Sequence, residues 1–248
     1  MLLAIDVGNT NITLGIFQGE RLLSRGRIST HVSSLTLRRL LVDLEVPSSA
    51  LTGVIISSVV PKATLRLKKA FRRATRLKPL VLGENIKAPI LNRYRVPAQV
   101  GQDRLVNAVA AHHLYAGPAI VVDFGTAITI DLVSARREYL GGLIVPGIGV
   151  ALEALSSRAA LLPKVELAPP EEFLGRDTVN SMRSGIFYGY GALCDGIVHR
   201  LKADFAPKAK VIGTGGHAPL ISPYSRSIQI VNPDLTLQGL ELIYRKKR

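Results

Sequence analysis

The 248 residues are 47% hydrophobic, enough to bury a core in one large domain or two of about 120 residues, and too apolar for a disordered chain. Lys and Arg number 32 against 18 Asp and Glu, a net charge of +14 that suits an anionic small molecule, nucleic acid or anionic lipid as partner. No run reaches the roughly 18 apolar residues of a membrane span, no basic segment precedes Leu2-Leu3-Ala4 as in a signal peptide, and one cysteine excludes an internal disulfide, so a cytoplasmic protein away from membranes is expected.

The apolar run Leu2-Leu3-Ala4-Ile5 ends in Asp6. Val7-Gly8-Asn9-Thr10 follows, and Ile12 to Phe17 then alternates as a strand. Gly8-Asn9 predicts a tight hairpin, since both residues tolerate positive φ. Asp6 then ends a buried strand and points into a turn. The N–H groups of that turn, with the hydroxyls of Thr10 and Thr13, can hold phosphate oxygens. The carboxylate cannot hold phosphate itself, but it can position a hydrated cation or water there. An ordinary hairpin is the plain alternative.

Arg21 to Ile28 reads as a third strand, and Ser33 to Leu44 as an amphipathic helix on Leu37, Leu40, Leu41 and Leu44. Gly53 to Val60 is a short buried strand, and Pro61 opens the next helix. That helix carries Arg66, Lys68, Lys69, Arg72, Arg73 and Arg76, with Leu65, Ala70, Phe71 and Ala74 as its expected buried stripe. A solvated face explains such a charge run, as it does the Arg245 to Arg248 tail. With only Phe71 interleaved, single-strand binding is disfavoured. Leu80 to Leu82 is another strand, Asn92 to Arg104 a loop, and Leu105 to Tyr115 a helix that Asp103 caps or opens. Gly117-Pro118 is the expected domain boundary, giving units 1–117 and 118–248.

Ala119 to Leu132 nearly repeats the opening hairpin: four apolar residues, Asp123-Phe124-Gly125-Thr126, then a β-branched run. Asp6 corresponds to Asp123, Gly8 to Gly125, and Thr13 lies close to the match of Thr129. A duplicated domain with a site at its seam follows. Glu138 to Val145 is the matching third strand, Val150 to Leu161 a helix, and Pro163 to Pro170 a connector. Thr178 to Ala203 is a long helix containing Gly185, Gly189, Gly191 and Gly196. Helical glycines cost roughly 1 kcal/mol each relative to alanine, which points to close packing of another backbone, as at a subunit interface. Lys210 to Ala218 is a strand ending in a glycine turn, and Leu235 to Tyr244 the last helix. Asp131 reads as an exposed strand carboxylate, His112 and His113 as structural, and Cys194 as a small packing residue. His217 touches either nucleotide or solvent.

Together these residues resemble the type III pantothenate kinases, of the acetate-kinase, sugar-kinase and actin superfamily. The resemblance covers the whole chain through Asp6-Val-Gly-Asn-Thr10, Gly101-Gln-Asp-Arg104, Asp123-Phe-Gly-Thr-Ala-Ile-Thr129, Gly141-Gly142 with Pro146-Gly147, Thr178 with Ser184-Gly185, and Thr214-Gly-Gly-His-Ala218. No one of these is specific, but all of them in this order are. The resemblance implies an α/β fold of two tandem ribonuclease-H-like domains, each a mixed sheet flanked by helices, with the active site in the cleft between them. It implies ATP-dependent phosphorylation of pantothenate, the first step towards coenzyme A, with Mg2+ accompanying ATP.

It also implies residue roles. Asp6, Val7, Gly8, Asn9, Thr10, Asn11, Ile12 and Thr13 would hold the ATP phosphates, with Thr126 a further ATP contact and Gly215 and Gly216 near adenine. Asp123 would bind a monovalent cation, K+ or NH4+. Asp103 would be the catalytic base that takes the pantothenate hydroxyl proton. Gly101, Gln102, Asp103 and Arg104 would bind pantothenate, the guanidinium pairing its carboxylate. Tyr94 would be another contact, and Thr178 one supplied by the second subunit of a homodimer. On the residues alone, Asp103 as a mere helix cap stays open. Two positions depart from the family pattern: Gln102 stands where alanine is common, and Asp177 where asparagine is. The alternatives are a non-enzymatic accessory transcription factor of the same family, for which the basic charge suits nucleic acid as a lesser partner, and a kinase of another small hydroxylated substrate.

Overall fold

The computed structural model describes residues 1–31, 47, 50–75 and 77–247. The helix expected over 33–44 lies outside the described residues. The rest forms two compact units. The first comprises Met1–Ala110 with Leu235–Arg248, and the second Ala111–Asp234.

In the first unit, β1 (Leu2–Val7) pairs antiparallel with β2 (Asn11–Gln18), which pairs with β3 (Arg21–Ser29). On its other side β1 runs parallel to β4 (Gly53–Ser58), followed by the two-residue β5 (Leu80–Val81), so the order is β3-β2-β1-β4-β5. The apolar run of β1 is buried on both faces, as the central strand of a covered sheet requires. Leu3, Ile5 and Val7 pack with Ala63, Leu67 and Phe71 of α1 (Pro61–Thr75). Leu2 and Ala4 pack with Val106 and Val109 of α2 (Gln102–Tyr115), and with Leu237, Leu240 and Ile243 of the closing helix.

That closing helix (Leu235–Lys247) covers the second face of the first sheet, so the first unit includes it although the sequence boundary at 117/118 groups it with the second half. The stripe expected on α1 is borne out at Phe71 and corrected at Leu65. Ala63, Leu67 and Phe71 face the core, while Leu65 is 57% exposed among the basic residues. Some of that basic face has structural work, since Arg66 donates to the Thr30 carbonyl and Lys68 pairs with Glu84.

The second unit repeats the plan. β7 (Ala119–Phe124) pairs antiparallel with β8 (Ala127–Val133), and β8 with β9 (Glu138–Pro146), after the short β6 (Leu91–Asn92) of the first unit. β7 runs parallel to β10 (Lys210–Thr214), which borders β11 (Ile230–Val231). The order β11-β10-β7-β8-β9 therefore mirrors β5-β4-β1-β2-β3. The duplication legible in the hairpins extends to the parallel strand beside each. Helices α3 (Ile148–Arg158), α4 (Thr178–Asp204) and the single turn α5 (Ala218–Ile221) complete the unit, α4 burying Met182, Ile186, Phe187, Cys194 and Val198.

Asp131 is a second correction. It is buried, and accepts hydrogen bonds from the Thr129 hydroxyl at 2.9 Å and from the Tyr139 hydroxyl at 2.8 Å. It ties β8 to β9 from inside. His112 is structural as expected: its Nε2 lies 3.2 Å from the Ala135 carbonyl oxygen. Burial, with Asp195 beside it, pushes the Cys194 thiol up to about 12, which leaves it a packing residue without thiolate character.

Candidate active site

At the carboxyl end of the first sheet, the β1–β2 hairpin forms as read, but without positive φ at Gly8 or Asn9. Its turn is closed by other bonds. Gly8 N–H donates to the Asn11 carbonyl, and the Thr30 hydroxyl donates to the Gly8 carbonyl at 2.7 Å. Thr30 N–H donates to the Thr10 carbonyl, so β3 holds the turn from behind. Asn9 and Thr10 are exposed and Asn11 and Thr13 half-buried. Val7 and Ile12 are buried core side chains, so their backbone alone is available to a ligand.

Asp6 is the register partner of Thr13 on β2 and of Ser57 on β4. Paired positions project from one sheet face, so these three form a row. The start of α2 lies at the same end of the sheet. A Cβ on Gly101 would stand 3.5 Å from a Val59 methyl, just beyond β4. The same Cβ would stand 2.4 Å from Asp103 Oδ1. Gly101 therefore makes room for the Asp103 carboxylate, which also accepts from Arg104 N–H at 2.8 Å. The helix begins at Gln102, three residues earlier than read, so Asp103 sits within its first turn, where a carboxylate is favoured by the helix dipole. Gln102 lies against Gly83, its amide atoms 3.2 Å from where a Cβ there would stand. Arg104 is buried and Tyr94 half-buried in the preceding loop, where Tyr94 N–H donates to Asn92 Oδ1.

In the second unit Asp123 occupies the equivalent place, the register partner of Thr129 on β8 and Thr214 on β10. Gly215, at φ +86°, lies against it: a Cβ there would stand 2.4 Å from Asp123 Oδ1 and 2.8 Å from the Phe124 backbone. The glycine turn is pinned where His217 N–H donates to the Phe124 carbonyl. Thr126 is exposed on the β7–β8 turn, and Gly147 packs beneath that turn, its N–H donating to the Thr126 carbonyl at 3.1 Å. Gly216 is exposed. Asp6 and Asp123 are thus near the carboxyl ends of the central strands of their sheets, the usual place for ligands in α/β sheets.

Thr178 is exposed in the first turn of α4 and lines a concavity with Leu162, Gly175, Arg176, Asp177, Ser181 and Met182. Asp177 is the N-cap of that helix. It accepts from Asn180 N–H at 2.8 Å and from the Asn180 side-chain amide at 2.7 Å. These two bonds lower its pKa below the ordinary carboxylate value. The departure from asparagine is thereby explained, because both residues cap well. With the folded pKa depressed, the cap's contribution is present above the unfolded carboxylate pKa and is lost as pH falls through the lowered folded one. Asp177→Ala is expected to lower the melting temperature at neutral pH, Asp177→Asn to leave it nearly unchanged, and the gap between wild type and the alanine variant to close in acid. Thermal melts across pH check this, and a gap that stays constant would contradict it.

The sequence reading missed Ser57, the pairing of Thr214 with Asp123 and the interior role of Asp131. Aligning β4 with β10 would have shown that Ser57 and Thr214 correspond.

The family model described as type III pantothenate kinase matches residues 2–200. The chain belongs to the type III pantothenate kinase family. Within that family it is 46% identical to the type III pantothenate kinase of Moorella thermoacetica, over 99% of each chain. It is 44% identical to that of Halalkalibacterium halodurans, again over 99% of each. Solved structures give the fold. The activator of the 2-hydroxyisocaproyl-CoA dehydratase from Clostridium difficile superposes with a TM-score of 0.58 at 12% identity, covering 98% of this chain and 93% of that one. The (R)-2-hydroxyglutaryl-CoA dehydratase component A of Acidaminococcus fermentans also gives 0.58 at 12% identity, over 99% and 98%. The two mixed sheets flanked by helices are thus a fold that this chain shares with those proteins.

Proposed function

We propose that this chain transfers the γ-phosphoryl group of ATP to the hydroxyl of pantothenate, giving 4′-phosphopantothenate in the first step of coenzyme A synthesis. Family membership over nearly the whole chain carries this reading. The opening of α2 supports it: Gly101 leaves space for the Asp103 carboxylate at the end of the sheet that also bears Asp6.

Asp103 takes the hydroxyl proton as the nucleophile forms. Arg104 pairs the pantothenate carboxylate, and Tyr94, Gly101 and Gln102 shape the pocket around it. The turn 6–13 holds the ATP phosphates through backbone and hydroxyl groups, with Thr126 a second contact and Gly215 and Gly216 beneath the adenine. Among the described residues no cluster of three or more acidic, His or Cys side chains could hold a metal. Mg2+ would arrive with ATP, and Asp6 is the carboxylate that would face it. When bound, it neutralises charge on the transferring phosphoryl group. Asp123 suits a monovalent cation, because its hard carboxylate lies against the bare Gly215 backbone and is the register partner of Thr214, whose buried hydroxyl has no hydrogen-bond partner among the described residues.

The active species is read as a homodimer in which Thr178 of one subunit reaches the other's substrate. Gly185, Gly189, Ala192 and Gly196 form an exposed small-residue ridge on α4, with open space over each glycine. Light scattering tests this by reading one or two times the 26.8 kDa chain mass. No helix among the described residues is long and apolar enough to cross a membrane, and the cytoplasm is the proposed compartment. A panel of small hydroxylated acids and sugars tests the substrate. Pantothenate is expected to give the highest kcat/KM, and a clearly better acceptor would redirect the assignment.

A further inference from the structure

Ser57 is the penultimate residue of β4 and Thr214 the last of β10, and each is the register partner of a candidate-site aspartate on the neighbouring parallel strand: Ser57 of Asp6, Thr214 of Asp123. On the other side of each aspartate the antiparallel strand supplies a threonine, Thr13 or Thr129. Each unit therefore carries a row of hydroxyl, carboxylate and hydroxyl on one sheet face. Ser57 is 0% exposed and Thr214 1%. Neither side-chain oxygen has a hydrogen-bond partner among the described residues. Buried hydroxyls are normally bonded, because the unmade bond leaves a desolvated donor uncompensated. One such hydroxyl is an isolated cost. The same cost at the equivalent position of both repeats, beside the same carboxylate, in strands that otherwise differ as Ile56-Ser57 and Gly213-Thr214, marks a placed feature.

We propose that Ser57 is a positioning residue for Asp6: its hydroxyl, without a partner among the described residues, donates to the Asp6 carboxylate when Mg2+ and ATP bind. This rests on the kinase reading above. A carboxylate that turns one oxygen towards the waters of a divalent cation presents the other to its neighbour. Adjacent strands lie about 4.8 Å apart, within reach of a rotating hydroxyl. A bond made only in the loaded state contributes to ligand binding and nothing to folding. It also fixes the carboxylate in one orientation at the moment its geometry matters.

The test compares wild type with Ser57→Ala and Ser57→Thr, the latter placing at 57 the residue type found at 214. Calorimetric titration with ATP is run once with Mg2+ and once with EDTA, and ligand-free melting is recorded. The alanine variant is expected to melt no lower than wild type, because it loses no bond. It should bind ATP about ten-fold more weakly with Mg2+, as for one bond to a charged group, and equally well with EDTA. The threonine variant should stay within about three-fold of wild type. Unchanged Mg2+-ATP affinity in the alanine variant overturns the proposal, as does an equal loss in EDTA, a lowered ligand-free melt, or a threonine variant as weak as alanine. Wild-type protein that binds no ATP would instead overturn the kinase reading on which the proposal rests.

Discussion

Asp103→Asn is expected to lower kcat by about two to four orders of magnitude, the usual worth of a positioned general base, while ATP binding persists. The amide is nearly the same size and still accepts from Arg104 N–H, so the opening of α2 keeps its shape. What it loses is the capacity to take the hydroxyl proton. An alcohol is a poor nucleophile until that proton has somewhere to go. Steady-state kinetics beside ATP titration separate the effects: a collapse of kcat with unchanged ATP affinity supports the base, whereas near-wild-type turnover leaves Asp103 a helix-opening residue only.

Gly215→Ala is expected to cost about 3 kcal/mol of stability and to disturb the Asp123 site as well. The residue sits at φ +86°, where an L side chain pays about 1–2 kcal/mol. Its Cβ would also meet Asp123 Oδ1 at 2.4 Å and the Phe124 backbone at 2.8 Å, and overpacking of that kind costs about 1–3 kcal/mol. Backbone cannot yield as a flexible side chain would, so the carboxylate must turn away. Denaturant melts should show the loss, and any stabilisation of wild type by K+ over Na+ should vanish in the variant. A variant as stable as wild type would mean that the glycine turn is softer than its contacts imply.

Much of the site was legible because its central element is written twice. Asp6 and Asp123 each end an apolar run before a glycine turn, and each lies one residue from the end of the central strand of its sheet. Ser57 and Thr214 were not legible. They meet those aspartates only through a parallel register between strands distant in sequence, which no local pattern encodes. Asp131 misled for a similar reason: its hydroxyl donor Tyr139 comes from the next strand across a register shift. On α1 the basic residues marked a solvent face correctly, but the phase was misjudged. The stripe through Ala63, Leu67 and Phe71 leaves Leu65 outside. The amphipathic pattern of the closing helix announced that it packs, not which sheet it packs on. Asp177 reads from sequence only as a departure from the family's asparagine, and the bonds to Asn180 show it to be a cap.

The most direct test of the central claim is ADP release from Mg2+-ATP, with and without pantothenate, in potassium buffer and in sodium buffer. The account predicts release that requires pantothenate and is faster in potassium. Folded protein that releases no ADP in response to pantothenate in either buffer would contradict it.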